Sequence, residues 1–139
     1  MAHRTTVYRH RVRYLEADQQ GVVFNMWYLG YFDEAMTLFL EQGGLPYNRM
    51  LEAGFDVHLV HSEIDWKAPL RFPEEFGVEV GVDGVDGVGR SSFALRFVVR
   101  GPAGEVAVGR TVYVVVATDG SGKRPIPALL ASALGDPPG

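Results

Sequence analysis

Cysteine is absent from the 139 residues, which excludes disulfides, thiolate metal sites and a cysteine nucleophile. No apolar run approaches the ~20 residues that a membrane-spanning helix needs. The opening segment MAHRTTVYRHRVRY alternates charged and apolar side chains and has no continuous apolar core of the kind an export signal carries. The expected compartment is therefore the cytoplasm. Positive charge is also scarce. Thirteen Lys and Arg against 17 Asp and Glu leave a net −4, which argues against nonspecific nucleic-acid binding. The cations that exist are clustered, with Arg4, Arg9, Arg11 and Arg13 at the front and Arg96, Arg100, Arg110, Lys123 and Arg124 toward the back. Such local patches can still hold a phosphorylated ligand.

What is present is an ordinary globular balance, 47% apolar and 22% charged, in a chain long enough for one real core and too short for two. There is no internal repeat and no long linker. Residues 1–134 read as a single domain, and Gly135-Asp136-Pro137-Pro138-Gly139 as a disordered tail.

Hydrophobic periodicity gives the elements. From Thr6 to Tyr14, Tyr8, His10, Val12 and Tyr14 share one face and Arg9, Arg11 and Arg13 the other. That alternation predicts a half-buried strand with a wet arginine face. Leu15 to Val23 breaks the pattern and reads as a loop. From Met26 to Gln42 the spacing of Leu29, Phe32, Met36, Phe39 and Leu40 predicts a long amphipathic helix. Asn25 is placed to cap its start, and Gly43-Gly44 to stop it. Pro46 opens a short second helix through Ala53. Four strands follow, over 60–66, 78–82, 93–99 and 105–118, joined by Gly-rich turns, with a last short helix at 128–134. Sequential strands with tight turns predict an antiparallel sheet. The fold class is α+β, a curved five-stranded antiparallel sheet wrapped around one long central helix. Valines on both faces of the last strand, Val112, Val114 and Val116 on one and Val115 on the other, predict burial on both sides and hence a homodimer or homotetramer.

The segment with chemical character is Tyr14-Leu15-Glu16-Ala17-Asp18-Gln19-Gln20-Gly21-Val22-Val23-Phe24-Asn25, which leads into the long helix. It places the carboxylate of Asp18 shortly before a helix N-terminus, where unpaired N–H groups and partial positive charge favour a developing oxyanion. Gly21 allows a tight turn between the two, and Val22, Val23 and Phe24 would anchor the loop and exclude water. Asp also favours turns for purely local reasons, so its spacing alone leaves both readings open. Trp27, Tyr28 and Tyr31 suit the core or a subunit contact. His58 and His61, three apart on a strand, point to opposite faces and do not form a metal pair. Glu63 and Asp65 suit a solvated strand face. Gly84, Gly87 and Gly89 lack the Lys-Ser/Thr of a phosphate loop.

The pattern Tyr14-x-x-x-Asp18-x-x-Gly21-Val22-Val23-Phe24-Asn25-x-x-Tyr28-Leu29-x-Tyr31-Phe32 resembles the signature of the 4-hydroxybenzoyl-CoA thioesterase-like family of hotdog proteins. Asp65 to Phe72 and Lys123-Arg124-Pro125-Ile126-Pro127 resemble later segments of the same family. The resemblance implies cleavage of an acyl-CoA to free CoA and a carboxylic acid, with neither metal nor cofactor. By position it makes Asp18 the nucleophile or general base and the backbone N–H of Asn25 the carbonyl-polarising donor. Gly21, Val22, Val23, Phe24 and Tyr28 would then line the thioester. Arg90, Ser91, Ser92, Lys123 and Arg124 would meet the CoA phosphates, in places across a subunit boundary. Two alternatives keep the fold: a thioesterase for acyl groups on carrier protein, and a non-catalytic acyl-CoA sensor. A hotdog dehydratase would need a histidine in the loop or helix, and none is there.

Overall fold

The structure is a computed structural model and describes residues 5–84 and 87–135. Arg4 and positions 136–139 of the expected tail lie outside the described residues. Five strands, β1 (Thr5–Arg11), β2 (Phe55–Trp66), β3 (Glu75–Val82), β4 (Ser92–Gly101) and β5 (Gly104–Ala117), form one antiparallel sheet in the order β1-β3-β4-β5-β2. The helices are α1 (Trp27–Gln42), α2 (Tyr47–Glu52) and α3 (Ala128–Ala133). The sequence order of elements matches the predicted one.

Helix α1 lies on one face of the sheet. Tyr31 packs against Phe76 of β3 with ring centroids 4.7 Å apart, and Phe32 stacks on Phe97 of β4 at 4.5 Å. Phe32 also crosses β5 at Gly109, where a Cβ would intrude on its ring, 2.6 Å from Cζ. The sequence therefore leaves a glycine where the Phe32 ring meets the backbone of β5. At the other end of α1, Gly43 plays the same part. A Cβ there would stand 2.7 Å from the Cα of Ala133, in the backbone of α3.

One expectation needs widening and two need correction. The stripe of α1 that meets the core includes Leu29, Phe32, Met36, Phe39 and Leu40 as expected, and also Tyr28, Tyr31 and Ala35, which are more deeply buried than Leu29, Met36 or Phe39. Tyrosines carry a polar tip and so count poorly toward an apolar stripe, although their rings bury well. Tyr14 does not continue the first strand. The ladder ends at Arg11, the chain turns into a 3-10 turn at Tyr14–Glu16, and Tyr14 is 81% exposed. The residue at the N-cap of α1 is Met26, which makes no side-chain cap hydrogen bond. Asn25 contributes its carbonyl to the N–H of Tyr28 instead.

Candidate active site

The loop that carries Asp18 is a compact turn clamped on both sides. The N–H of Asp18 donates to the carbonyl of Val22 (2.8 Å), and the N–H of Gly21 to the carbonyl of Asp18 (3.0 Å). Gly21 has φ +78°, a left-handed conformation that glycine adopts without a Cβ penalty. The far side of the turn is stitched to the segment before β3, Val23 N–H to Leu70 carbonyl at 2.7 Å and Phe72 N–H to Gly21 carbonyl at 3.0 Å. Val23 is buried and holds the turn down, whereas Phe24 is about half exposed.

Within this turn the Asp18 carboxylate is solvent-exposed and held by one oxygen. Its Oδ1 accepts the N–H of Gln20 at 2.8 Å and of Val22 at 3.4 Å, and Oδ2 has no partner among the described residues. The turn thus fixes the carboxyl group and leaves an oxygen available. The exposed backbone just beyond it supplies donors. The N–H groups of Trp27 and Tyr28 are used by the carbonyls of Phe24 and Asn25. Those of Asn25 and Met26 donate to no described residue, the usual condition at a helix start. Tyr28 itself is only 2% exposed and meets Trp66 edge-on at 6.0 Å, so as placed it belongs to the core.

The residues expected at the CoA phosphates are gathered at the opposite end of the sheet. Ile126 N–H donates to the Arg90 carbonyl (2.9 Å), Val115 N–H to the Ser91 carbonyl (2.8 Å) and Arg124 N–H to the Val115 carbonyl (3.1 Å). Ser92 pairs with Val114, and Lys123 bridges to Val116. The Arg124 guanidinium lies over the Phe55 ring at 5.5 Å. Phe55 begins β2 and Trp66 ends it. At ~3.3 Å per residue, these two ends of β2 are roughly 35 Å apart along the strand. Among the described residues, hollows also lie elsewhere. One, about 90 Å³ and mostly apolar, is lined by Met36, Leu40, Leu45, Met50 and Val57, and another, about 370 Å³, by Arg9, Arg11, Glu75 and Arg100. Asp18 lines neither.

A buried carboxylate went unnoticed in the sequence. Glu16, 1% exposed, accepts from the backbone N–H of Arg13 (2.8 Å), from the Arg13 guanidinium (2.9 and 3.1 Å) and from the His10 ring (3.0 Å). Burial alone would raise its pKa. The bonds from Arg13 and His10 outweigh that and hold the carboxyl below the usual range. The available signal was Arg13-x-x-Glu16, the spacing at which a carboxylate reaches back to the N–H at the start of a helical turn. Asp33 of α1 is exposed but reaches toward the sheet, where it accepts from the Tyr113 hydroxyl at 3.4 Å. Desolvation raises its pKa, and the Tyr113 bond offsets part of that.

A sequence model of the thioesterase-like superfamily matches residues 12–134. The chain belongs to that superfamily. The family resemblance carried by the Tyr14–Phe32 pattern is therefore correct, and the five-stranded antiparallel sheet agrees with the hotdog fold. A protein of Aquifex aeolicus named "Putative esterase" is 33% identical over 93 residues, 67% of this chain and 70% of that one. One of Bacillus subtilis named "Putative acyl-CoA thioesterase" is 28% identical over 100 residues, 72% of this chain and 70% of that one. The crystal structure of a hypothetical protein from Thermus thermophilus superposes with a TM-score of 0.83 at 30% identity, covering 94% of this chain and 98% of that one. Membership of this superfamily supports thioester hydrolysis as the general activity.

Proposed function

We propose that this thioesterase-superfamily chain hydrolyses an acyl-CoA to free CoA and a carboxylic acid, with Asp18 as nucleophile or general base. The observation that carries the reading is the half-engaged carboxylate: one oxygen held by two backbone N–H groups, the other without a partner among the described residues, in a clamped turn just before α1. In the general-base route Asp18 takes a proton from water as the hydroxyl oxygen adds to the thioester carbon. In the nucleophilic route the second oxygen adds directly, and water then cleaves the mixed anhydride. In both, the carbonyl oxygen gathers charge beside the unpaired N–H groups of Asn25 and Met26, the C–S bond breaks, and the CoA thiolate leaves and is protonated. Gly21, Val22 and Phe24 flank the reacting carbon. Thiol release from acyl-CoAs by the wild type and by Asp18→Asn tests the reading.

The same proposal takes α1 as the helix about which the sheet curves, and two chains as the working unit. Roughly 35 Å separates the Trp66 end of β2 from the Arg124 end, too far for one compact site within a chain. However, β2 is an edge strand of 12 residues with Leu59 and Val60 exposed. Antiparallel pairing of two β2 edges across a two-fold axis would set the Arg90, Lys123 and Arg124 end of one protomer beside the Asp18 end of the other. Sedimentation at micromolar concentration is expected to read at least twice the 15.3 kDa chain mass. A monomer would remove the shared site. Arg124→Ala is expected to raise KM for acyl-CoA about 10-fold or more, given the strength of a charge-assisted phosphate contact, while leaving hydrolysis of a short thioester without the nucleotide unchanged. Equal effects on both substrates would exclude Arg124 from the nucleotide contact and favour a carrier-protein substrate.

A further inference from the structure

We propose that Glu16 is a positioning residue for Asp18: its buried carboxylate locks the reactive turn against β1 and the start of α1. The proposal rests on the reading of Asp18 as the reacting carboxylate. Glu16 cannot itself meet substrate, because it is 1% exposed and both its oxygens are occupied. It stands at the base of the turn, however, and ties down both of its arms. Its N–H donates to the Arg13 carbonyl at 2.9 Å on the entering side. Its carbonyl accepts the N–H of Phe24 at 3.0 Å on the leaving side, next to the Ala17–Val23 bridge that closes the loop. The carboxylate then joins this base to two other elements. His10 belongs to β1 and bonds it directly. Tyr31 belongs to α1, one turn beyond its start, and its ring lies 5.6 Å from that of His10. The Tyr31 hydroxyl is buried beside Glu16, and its pKa is pushed up first by burial, then by the charge of Glu16 and by a hydrogen bond to its carboxylate.

A leucine or methionine at this position would fill the same space between strand and helix without desolvating a charge. A buried ion pair often contributes no more to stability than a well-packed apolar replacement, and in some proteins what it adds is a unique geometry. Geometry is what the Asp18 turn needs, since a displacement of 1 Å at a reacting group costs about 10²-fold in rate.

The test combines site-resolved amide exchange with kinetics in Glu16→Gln. Exchange at Gln20 and Val22, the two N–H groups that hold Asp18, is expected to accelerate about 10-fold, with the amides of β4 and β5 unchanged. The value of kcat should fall by about 10–10²-fold, with KM within about threefold. Arg13→Gln, on a side chain 57% exposed, removes the guanidinium bonds but keeps the backbone one. It should show the same local pattern, several-fold in size, if Glu16→Gln does not fold. Wild-type exchange at Gln20 and Val22, or acceleration spread equally over β4 and β5, would overturn the positioning role. Loss of the thioesterase reading would show separately, as no thiol release by the wild type, and leaves the exchange result standing.

Discussion

Asp18→Asn is expected to lower kcat for thioester hydrolysis by about 10²–10⁴-fold, the range for loss of a positioned general base, with acyl-CoA binding retained. Asparagine keeps the side-chain oxygen that Gln20 and Val22 grip, so the turn survives. What disappears is the charge on the second oxygen, which the fold leaves without a partner among the described residues. A helix start alone still polarises a carbonyl, so a small residual rate belongs to the oxyanion donors. Release of thiol at the wild-type rate would remove Asp18 from the chemistry. Tight acyl-CoA binding by a wild type without turnover would instead favour the sensor alternative. The assay needs only a thiol reagent and a panel of acyl-CoAs, which also reads out the preferred acyl group.

The largest expected effect on stability is at the crossing of α1 and β5. Phe32 is fully buried, stacks on Phe97 and covers the bare backbone of Gly109. Phe32→Ala should cost about 3–5 kcal/mol, roughly 10–20 °C in Tm for a chain of this size. Gly109→Ala should cost about 1–3 kcal/mol by overpacking, because the ring cannot slide while Phe97 backs it. The two changes should not add. With the ring gone, the new methyl group enters the space it vacated. The double variant should therefore be less destabilised than the sum by about 0.5–3 kcal/mol. Denaturant melts of the four proteins measure this, and strict additivity would show that the ring and Gly109 do not touch in solution.

The sheet was legible because its strands alternate over long stretches. Phe93, Leu95, Phe97 and Val99 fall on one side of β4 and are buried. The tight turn that carries Asp18 was legible from Gly21, whose positive φ the turn requires. What the sequence hid depends on contacts between distant elements. Glu16 looks like one more loop carboxylate until His10 and Arg13 are folded against it. The β2 ladder shifts register between Leu59 and His61, which no local periodicity announces. The first turn of α1 begins without a side-chain cap, because the helix starts one residue later than expected and Met26, which has no side-chain acceptor for the task, stands at the N-cap in place of Asn25.

The strand order carries a consequence for how the molecule assembles in time. Only β3, β4 and β5 are neighbours both along the chain and in the sheet. The outermost strands reach partners distant in sequence: β1 pairs with β3 across 64 residues (Arg11 to Glu75) or more, and β2 with β5 across 41 (Trp66 to Ala107) or more. Closing such wide loops slows folding relative to local pairing. The three-strand meander is thus expected to form first, and the segment bearing Asp18, attached to the outer β1, to reach its final shape late. Substitutions in β1 should accordingly quicken unfolding more than they delay folding.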